Sequence, residues 1–182
     1  VIDKEGNAAS ITTSTGIGCG FMIPTTGIMM NNMMGEDDLN PHGFHVHTPG
    51  LRMSSMMAPT IVMKDGAPEI VLGSGGSMRI RDAIFQVILN IVDHGLSAAR
   101  AVDAPRIHLD GGRLHVEPGI EAGELGWAKE LGMEINMWGF KHMYFGGVHA
   151  VVFEEPGELS GGGPGIKGAG DSRRCGFVIE GG

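Results

Sequence analysis

The stretch EIVLGSGGSMRIRDAI, Glu69 to Ile84, limits what this chain can fold into more than any other. An apolar, β-branched run passes through a knot of Gly and Ser into Ile80, Ile84, Val87, Ile88 and Ile91, which recur at helical spacing until Gly95. That pattern predicts a strand, a tight turn and a helix over Arg79–His94. Such a junction presents backbone N–H groups at the positive end of the helix, which suits an anion. Three readings stand side by side: a plain tight turn, an oxyanion hole of paired N–H groups, and a phosphate cradle. The GxxxxGK[ST] loop is absent, and GSGGSM lacks the third glycine and the downstream acidic residue of the dinucleotide fingerprint.

Hairpin patterns surround this unit. VIDKEGNAASITTS reads as two strands joined at Lys4–Asn7, TIVMKDGAPEIVL as strands Thr60–Met63 and Glu69–Leu72, and RIHLDGGRLHVEPG as a hairpin turning at Asp110–Gly112. Strand-like runs continue through GCGFMIPTTGIMMNN, and Met133–Met137, Val148–Phe153 and Phe177–Glu180 complete the strand set. A short helix capped by Ser97 ends before Pro105, and Glu121–Leu131 reads as helical despite its glycines. Gly35–Gly50 is a polar loop of a length that usually carries a function or a motion. Antiparallel hairpins with few helices predict an α+β layered sheet rather than a doubly wound parallel one. The chain, 1–182, is expected to form a single domain with no repeat and no linker.

Composition narrows the functional classes. A net charge of −8 without a Lys/Arg cluster argues against a nucleic-acid partner. No apolar run approaches the roughly 20 residues of a membrane span, and no basic-then-apolar leader is present. The 13 methionines sit in apolar runs such as GIMMNNMM, which predicts core filling rather than a metal role. Cys19 and Cys175 belong to no CxxC pattern and read as ordinary small buried residues, so neither zinc nor redox chemistry is implied.

Several polar groups are candidates for chemistry, each with a plainer alternative. Glu36, Asp37 and Asp38 suit a substrate amine or a hard cation, or form a solvated helix N-terminus. His42, His45 and His47 offer three imidazoles within six residues, yet the Gly- and Pro-rich surroundings without Cys weigh against a native metal site. Ser54 and Ser55 lie between methionines and need hydrogen-bond partners, with turn duty as the alternative. The G-x-S-x-G elbow that would activate a serine is missing.

Read in order, VIDKEGNAAS, GCGFMIPTTGIMMNN, MSSMMAPTIVMKDG, LGSGGSMRI, QVILNIVDHGLSAARAVDAPRIH, LHVEPG and GAGDSRR resemble the small subunit of the γ-glutamyltranspeptidase family, within the N-terminal nucleophile hydrolases. The resemblance implies an α+β fold of the four-layer αββα sandwich type, with this chain as the smaller part of a precursor that cleaves itself. It implies a large-subunit partner, a γ-glutamyl or related amide substrate such as glutathione, no cofactor and no metal. An N-terminal Thr would be the nucleophile, with its own α-amine as base. Carried over, the oxyanion-hole positions fall on Gly76 and Ser77, with Gly75 adjacent, and the carboxylate-binding serine pair on Ser54 and Ser55.

Three departures accompany the resemblance. The nucleophile is expected roughly five residues upstream of Val1, so the chain as it stands lacks it. The family's Thr-x-Asn pair matches Ser14 and Gly16, which leaves Ser14 to support the nucleophile without the Asn amide. Its Asn-Asn-Glu/Gln-Met-Asp-Asp run appears as NNMMGEDDLN, which keeps Asn32, puts Met33 at a polar position and inserts Gly35-Glu36. One of Glu36, Asp37 and Asp38 is still expected to meet an α-ammonium. A changed acyl preference, as in members resembling cephalosporin acylases, fits these changes, and a catalytically silent binding or structural protein is the rival reading. Sheet edges left open by a chain that begins in mid-strand predict poor folding without the partner. Any export signal would belong to the large chain.

Overall fold

The structure is a computed structural model that describes residues 1–154 and 165–180. Its centre is a four-stranded antiparallel sheet in the order β1-β2-β6-β7, comprising β1 (Thr60–Lys64), β2 (Ala67–Gly75), β6 (Gly147–Glu154) and β7 (Gly165–Ala169). The β1–β2 hairpin turns through Asp65 (φ 50) and Gly66 (φ 85), a pair of left-handed residues that matches the twist of the strands. Helices α1 (Arg79–Val92) and α2 (Ala98–Asp103) lie on one face of this sheet. Ser97 caps α2 by accepting the Arg100 N–H.

The alternation of β2 decides what each face meets. Ile70 and Leu72 join Val148, Ala150 and Val152 of β6 against Ile80, Ala83, Ile84 and Val87 of α1, and all are buried. The i, i+3, i+4 spacing on α1 therefore marks the stripe that buries against the sheet. The opposite face of β2 carries Val71, Gly73 and Gly75 and borders a cleft of about 1080 Å³. Residues 1–4 and 9–13 line the other side of that cleft, held down where Ser10 Oγ donates to the Leu72 carbonyl at 2.8 Å.

A second, three-stranded sheet holds β3 (Ile107–Asp110), β4 (Arg113–Val116) and β5 (Glu134–Met137). The first two pair antiparallel across Gly111-Gly112, whereas β4 and β5 pair parallel, joined by α3 (Gly126–Glu130). Leu114, Val116, Leu125 and Ala128 form its small core. Gln86 fastens the two sheets together: its side chain accepts the Ile107 N–H and donates to the Ile107 carbonyl.

Between the sheets lies a fully buried ionic quartet. Arg106 Nη2 donates to Asp171 Oδ2 at 2.7 Å, and Arg173 donates to both Glu117 (2.5 and 2.8 Å) and Asp171 (3.1 Å). The remaining donors go to the carbonyls of Val102, Ala104 and Phe145. Burial pushes the Asp171 carboxyl up, but Arg106 and the N–H groups of Arg173 and Val148 outweigh it and hold the carboxyl below its ordinary value. Burial likewise draws the Arg106 guanidinium down.

Several expectations are corrected. Residues 1–14 and 18–32 form hairpin-shaped loops with one isolated bridge each, Ile2 to Ala8 and Met22 to Met29, rather than strands. Neither loop has a packed layer to extend a ladder against, since Ile11, Ile17, Phe21 and Ile28 are exposed. Phe177–Glu180 is irregular, with Val178 seated on Gly168, and β7 is a strand that the pattern did not reveal. Met22, Met34, Met63 and Met143 are exposed and no methionine is fully buried, although Met56 and Met133 pack against the edges of the two cores, which β-branched and small residues largely fill. Both cysteines are exposed, Cys175 in a left-handed turn (φ 51).

Candidate active site

β2 runs out at Gly75, and the chain must reverse onto α1 within three residues. Gly76 does this at φ 133, a conformation glycine tolerates and other residues resist. A Cβ there would stand 2.8 Å from Gly146 Cα, so two backbones touch at this point. Ser77 follows at φ 53, and Arg79 and Ile80 donate their N–H groups back to the Gly76 and Ser77 carbonyls at 3.1 Å. No side chain caps α1. The N–H groups of Gly76 and Ser77 donate to no acceptor among the described residues.

The acidic run meets this loop. Asp37–Leu39 forms one 3-10 turn, anchored by buried Leu39 and Asn40. Asn40 Nδ2 donates to the carbonyls of Met33 and Glu36, and its Oδ1 faces His47 Nε2 at 2.9 Å. So braced, Asp38 Oδ2 accepts the Ser77 hydroxyl at 2.8 Å. A second group forms where Asn32 Oδ1 accepts the Ile17 N–H and Asn32 N–H reaches the Thr15 carbonyl. Ser14 Oγ accepts the Gly16 N–H at 2.9 Å. Gly16 lies so near that a Cβ would fall 1.9 Å from Asn32 Oδ1 and 2.5 Å from Glu36 Oε1.

Of the residues singled out from sequence, the fold thus joins Asp38 to Ser77 and gathers Ser14, Gly16, Asn32 and Glu36. Asp37 is exposed. Ser54 and Ser55 are exposed as well: Ser55 Oγ accepts the Met57 N–H, and neither serine bonds to the Gly75–Ser77 loop. The three histidines do not converge, since His47 is engaged by Asn40, and no three ligating side chains gather among the described residues.

Sequence reasoning missed two neighbours of the site. The quartet of Arg106, Glu117, Asp171 and Arg173 places the terminal GDSRR segment beside the Gly-rich loop, and Arg174 lies against Gly75 and Gly147. The available signal was the paired arginines of a short segment flanked by glycines, which named the residues but not their partners.

Among known proteins, the sequence matches the family Gamma-glutamyltranspeptidase over residues 1–181. The chain belongs to this family. It is 32% identical over 175 residues to the glutathione hydrolase proenzyme of Escherichia coli strain K12, covering 88% of this chain and 30% of that protein. It is 34% identical over 167 residues to the Acylase ACY 1 proenzyme of Pseudomonas sp. strain SE83, covering 88% and 29%. The chain therefore spans about a third of the length of the curated relatives it matches. Its fold matches a solved γ-glutamyltranspeptidase of Pseudomonas nitroreducens complexed with L-DON, with a TM-score of 0.75 and 26% identity over 99% of this chain and 96% of that one. In this member of the family, helices and sheets mix as the α+β expectation required, and no helix described is long and apolar enough to cross a membrane.

Proposed function

We propose that this chain is the small-subunit portion, 1–182, of a γ-glutamyltranspeptidase-like amide hydrolase and acyltransferase. The observation that carries the reading is the pair of unpartnered N–H groups at Gly76 and Ser77, fastened by Asp38 beside the cleft. The N-terminal pairing supports it. Val1 and Ala9 exchange backbone hydrogen bonds at 2.8 and 2.9 Å, antiparallel, so chain upstream of Val1 would run beside Ile11–Ser14. That direction leads past Thr12, which lies against Gly73, toward the Gly75 end of β2.

In this reading a Thr upstream of Val1 is the nucleophile. Its hydroxyl oxygen adds to the amide carbonyl while its proton passes to the Thr α-amine, and the carbonyl oxygen becomes an alkoxide. The Gly76 and Ser77 N–H groups, with Gly75 shaping the approach, hold that alkoxide. Collapse breaks the C–N bond, the amine leaves with the proton, and water or an amino acid takes the acyl group from the ester. Ser14 supports the nucleophile, Ser54 and Ser55 receive a substrate carboxylate, and Asn32 with Glu36, Asp37 or Asp38 receives its ammonium. Large-subunit strands would cover the cleft face of the β1-β2-β6-β7 sheet and complete a four-layer αββα sandwich, which accounts for the exposed Ile11, Ile17, Phe21 and Ile28.

The donor is glutathione or a related γ-glutamyl amide. An acylase-type donor is the second reading, favoured by Met33 and the Gly35-Glu36 insertion at the ammonium-binding run and by the 34% identity to Acylase ACY 1 proenzyme. Intact mass and N-terminal sequencing of the natively purified protein test both together. A small chain headed by Thr a few residues before Val1, with a larger second chain, supports self-cleavage, after which hydrolysis of γ-glutamyl-4-nitroanilide against glutaryl-4-nitroanilide separates the donors. A small chain headed by neither Thr nor Ser would mean a silent homologue.

A further inference from the structure

Arg174 leaves the 3-10 turn Ser172–Arg174 and lies along Gly147 of β6, where a Cβ would fall 2.4 Å from Arg174 Cδ. Its guanidinium ends against β2, with Cζ, Nε and Nη1 3.5 Å from the position a Gly75 Cβ would take. Nη2 stands 3.8 Å from the corresponding point at Gly76. Gly75 and Gly147 are register partners, so three glycines on two neighbouring strands and their turn form a socket that one arginine fills. The alternation of β2 puts the guanidinium on the face that Ser10 and Thr12 occupy at Gly73.

No described residue neutralises its charge. Arg106 and Arg173, close by, give their donors to carboxylates and carbonyls. Arg174 has no carboxylate partner among the described residues. Its Nε is shielded from solvent without an acceptor, and Nη2 makes a single long contact of 3.4 Å to the Met143 carbonyl. A guanidinium stays protonated in any protein environment, so a full positive charge stands against the loop whose N–H groups are also unpartnered. Where bound substrate excludes water, such a charge acts strongly over a few ångströms.

We propose that Arg174 is a positioning residue for the Gly76–Ser77 N–H pair, holding an uncompensated positive charge behind it that favours negative charge on the acyl oxygen in the transition state. The inference rests on the amide-cleaving reading above. Because the charge on that oxygen exists only during reaction, the effect belongs to kcat and not to ground-state binding.

The test uses the assembled two-chain protein with Arg174→Met, which keeps the packing and removes the charge, and Arg174→Lys, which keeps the charge. The substrate is whichever of γ-glutamyl-4-nitroanilide and glutaryl-4-nitroanilide the unaltered protein cleaves. Arg174→Met is expected to lower kcat by at least about tenfold with KM within about twofold, and Arg174→Lys to lose clearly less, at unchanged melting temperature. Should Arg174→Met fail to assemble, Arg174→Gly with low-millimolar guanidinium replaces it, and recovery of kcat is the supporting result. Unchanged kcat in Arg174→Met, a rise confined to KM, equal losses in the Met and Lys variants, or no recovery with guanidinium each overturn the inference while leaving the amidase reading in place. An unaltered protein that processes itself yet cleaves neither amide removes the amidase reading and this inference with it.

Discussion

Ser77 Oγ donates to Asp38 Oδ2 at 2.8 Å, joining the Gly-rich loop after β2 to an acidic turn 39 residues earlier in the chain. The bond orders a residue held at φ 53, a conformation that costs a non-glycine residue on the order of 1 kcal/mol or more unless its surroundings support it.

Cutting that tie should therefore move activity more than stability. Asp38→Ala and Ser77→Ala are each expected to lower kcat/KM by about tenfold or more, through misplacement of the N–H pair. The melting free energy should change by no more than about 1 kcal/mol, because the pair is solvent-exposed. Parallel kinetics and thermal unfolding on the assembled protein check this, and a stability loss without a kinetic one would contradict it.

Gly76→Ala meets backbone rather than a flexible side chain, since its Cβ would stand 2.8 Å from Gly146 Cα, and it adopts φ 133 besides. A destabilisation of about 1–3 kcal/mol is expected, with the proposed amidase activity lost through displacement of the loop. Gly35→Ala is the control: nothing lies within 4 Å of its Cβ position, and a change within about 0.5 kcal/mol is expected. Chemical denaturation of both variants separates the cases.

Arg173→Met strands the fully buried charge of Glu117 and leaves Asp171 with Arg106 alone. Removing one partner from such a network typically costs about 3–5 kcal/mol, so the variant should assemble poorly or melt far lower. A variant with the unaltered melting temperature would show that the quartet contributes little beyond packing.

The depressed carboxyl of Asp171 gives stability a direction with pH. Its folded value lies below its ordinary 3.8, so its contribution is fully present above that value. The contribution is lost as pH falls through the folded value, where the native state must take up a proton against Arg106 and Arg173. Melting temperatures measured from pH 6 down to pH 3 should fall at the acid end. Asp171→Asn should melt lower at pH 6 and lose part of that acid slope. An unchanged slope would assign acid sensitivity to other carboxyl groups.

Local physics made much of this chain legible before any coordinates. The spacing of Ile80, Ile84 and Val87 marks the buried face of α1, Ser97 caps α2, and the Asp65-Gly66 and Gly111-Gly112 pairs close tight hairpins. Each depends on residues within one or two turns of each other. The Gly-rich junction was recognisable as a tight strand-to-helix turn for the same reason.

What stayed hidden depends on residues far apart in sequence. Arg106 and Asp171 are 65 positions apart, and nothing local tells an arginine destined for full burial from one destined for solvent. The N-terminal runs looked like strands because β propensity describes fit to a half-buried surface, and in this chain that surface is missing. By itself the sequence determined α1, the β1–β2 and β3–β4 hairpins, the Ser97 cap, the family and the tight turn after β2, because those follow from neighbouring side chains and backbone freedom. Only the tertiary structure decided that Asp38 reaches Ser77, that four charged groups can be buried by satisfying one another, and that Arg174 fills a socket of glycines, since the free energy of each contact exists only once distant segments have been brought together.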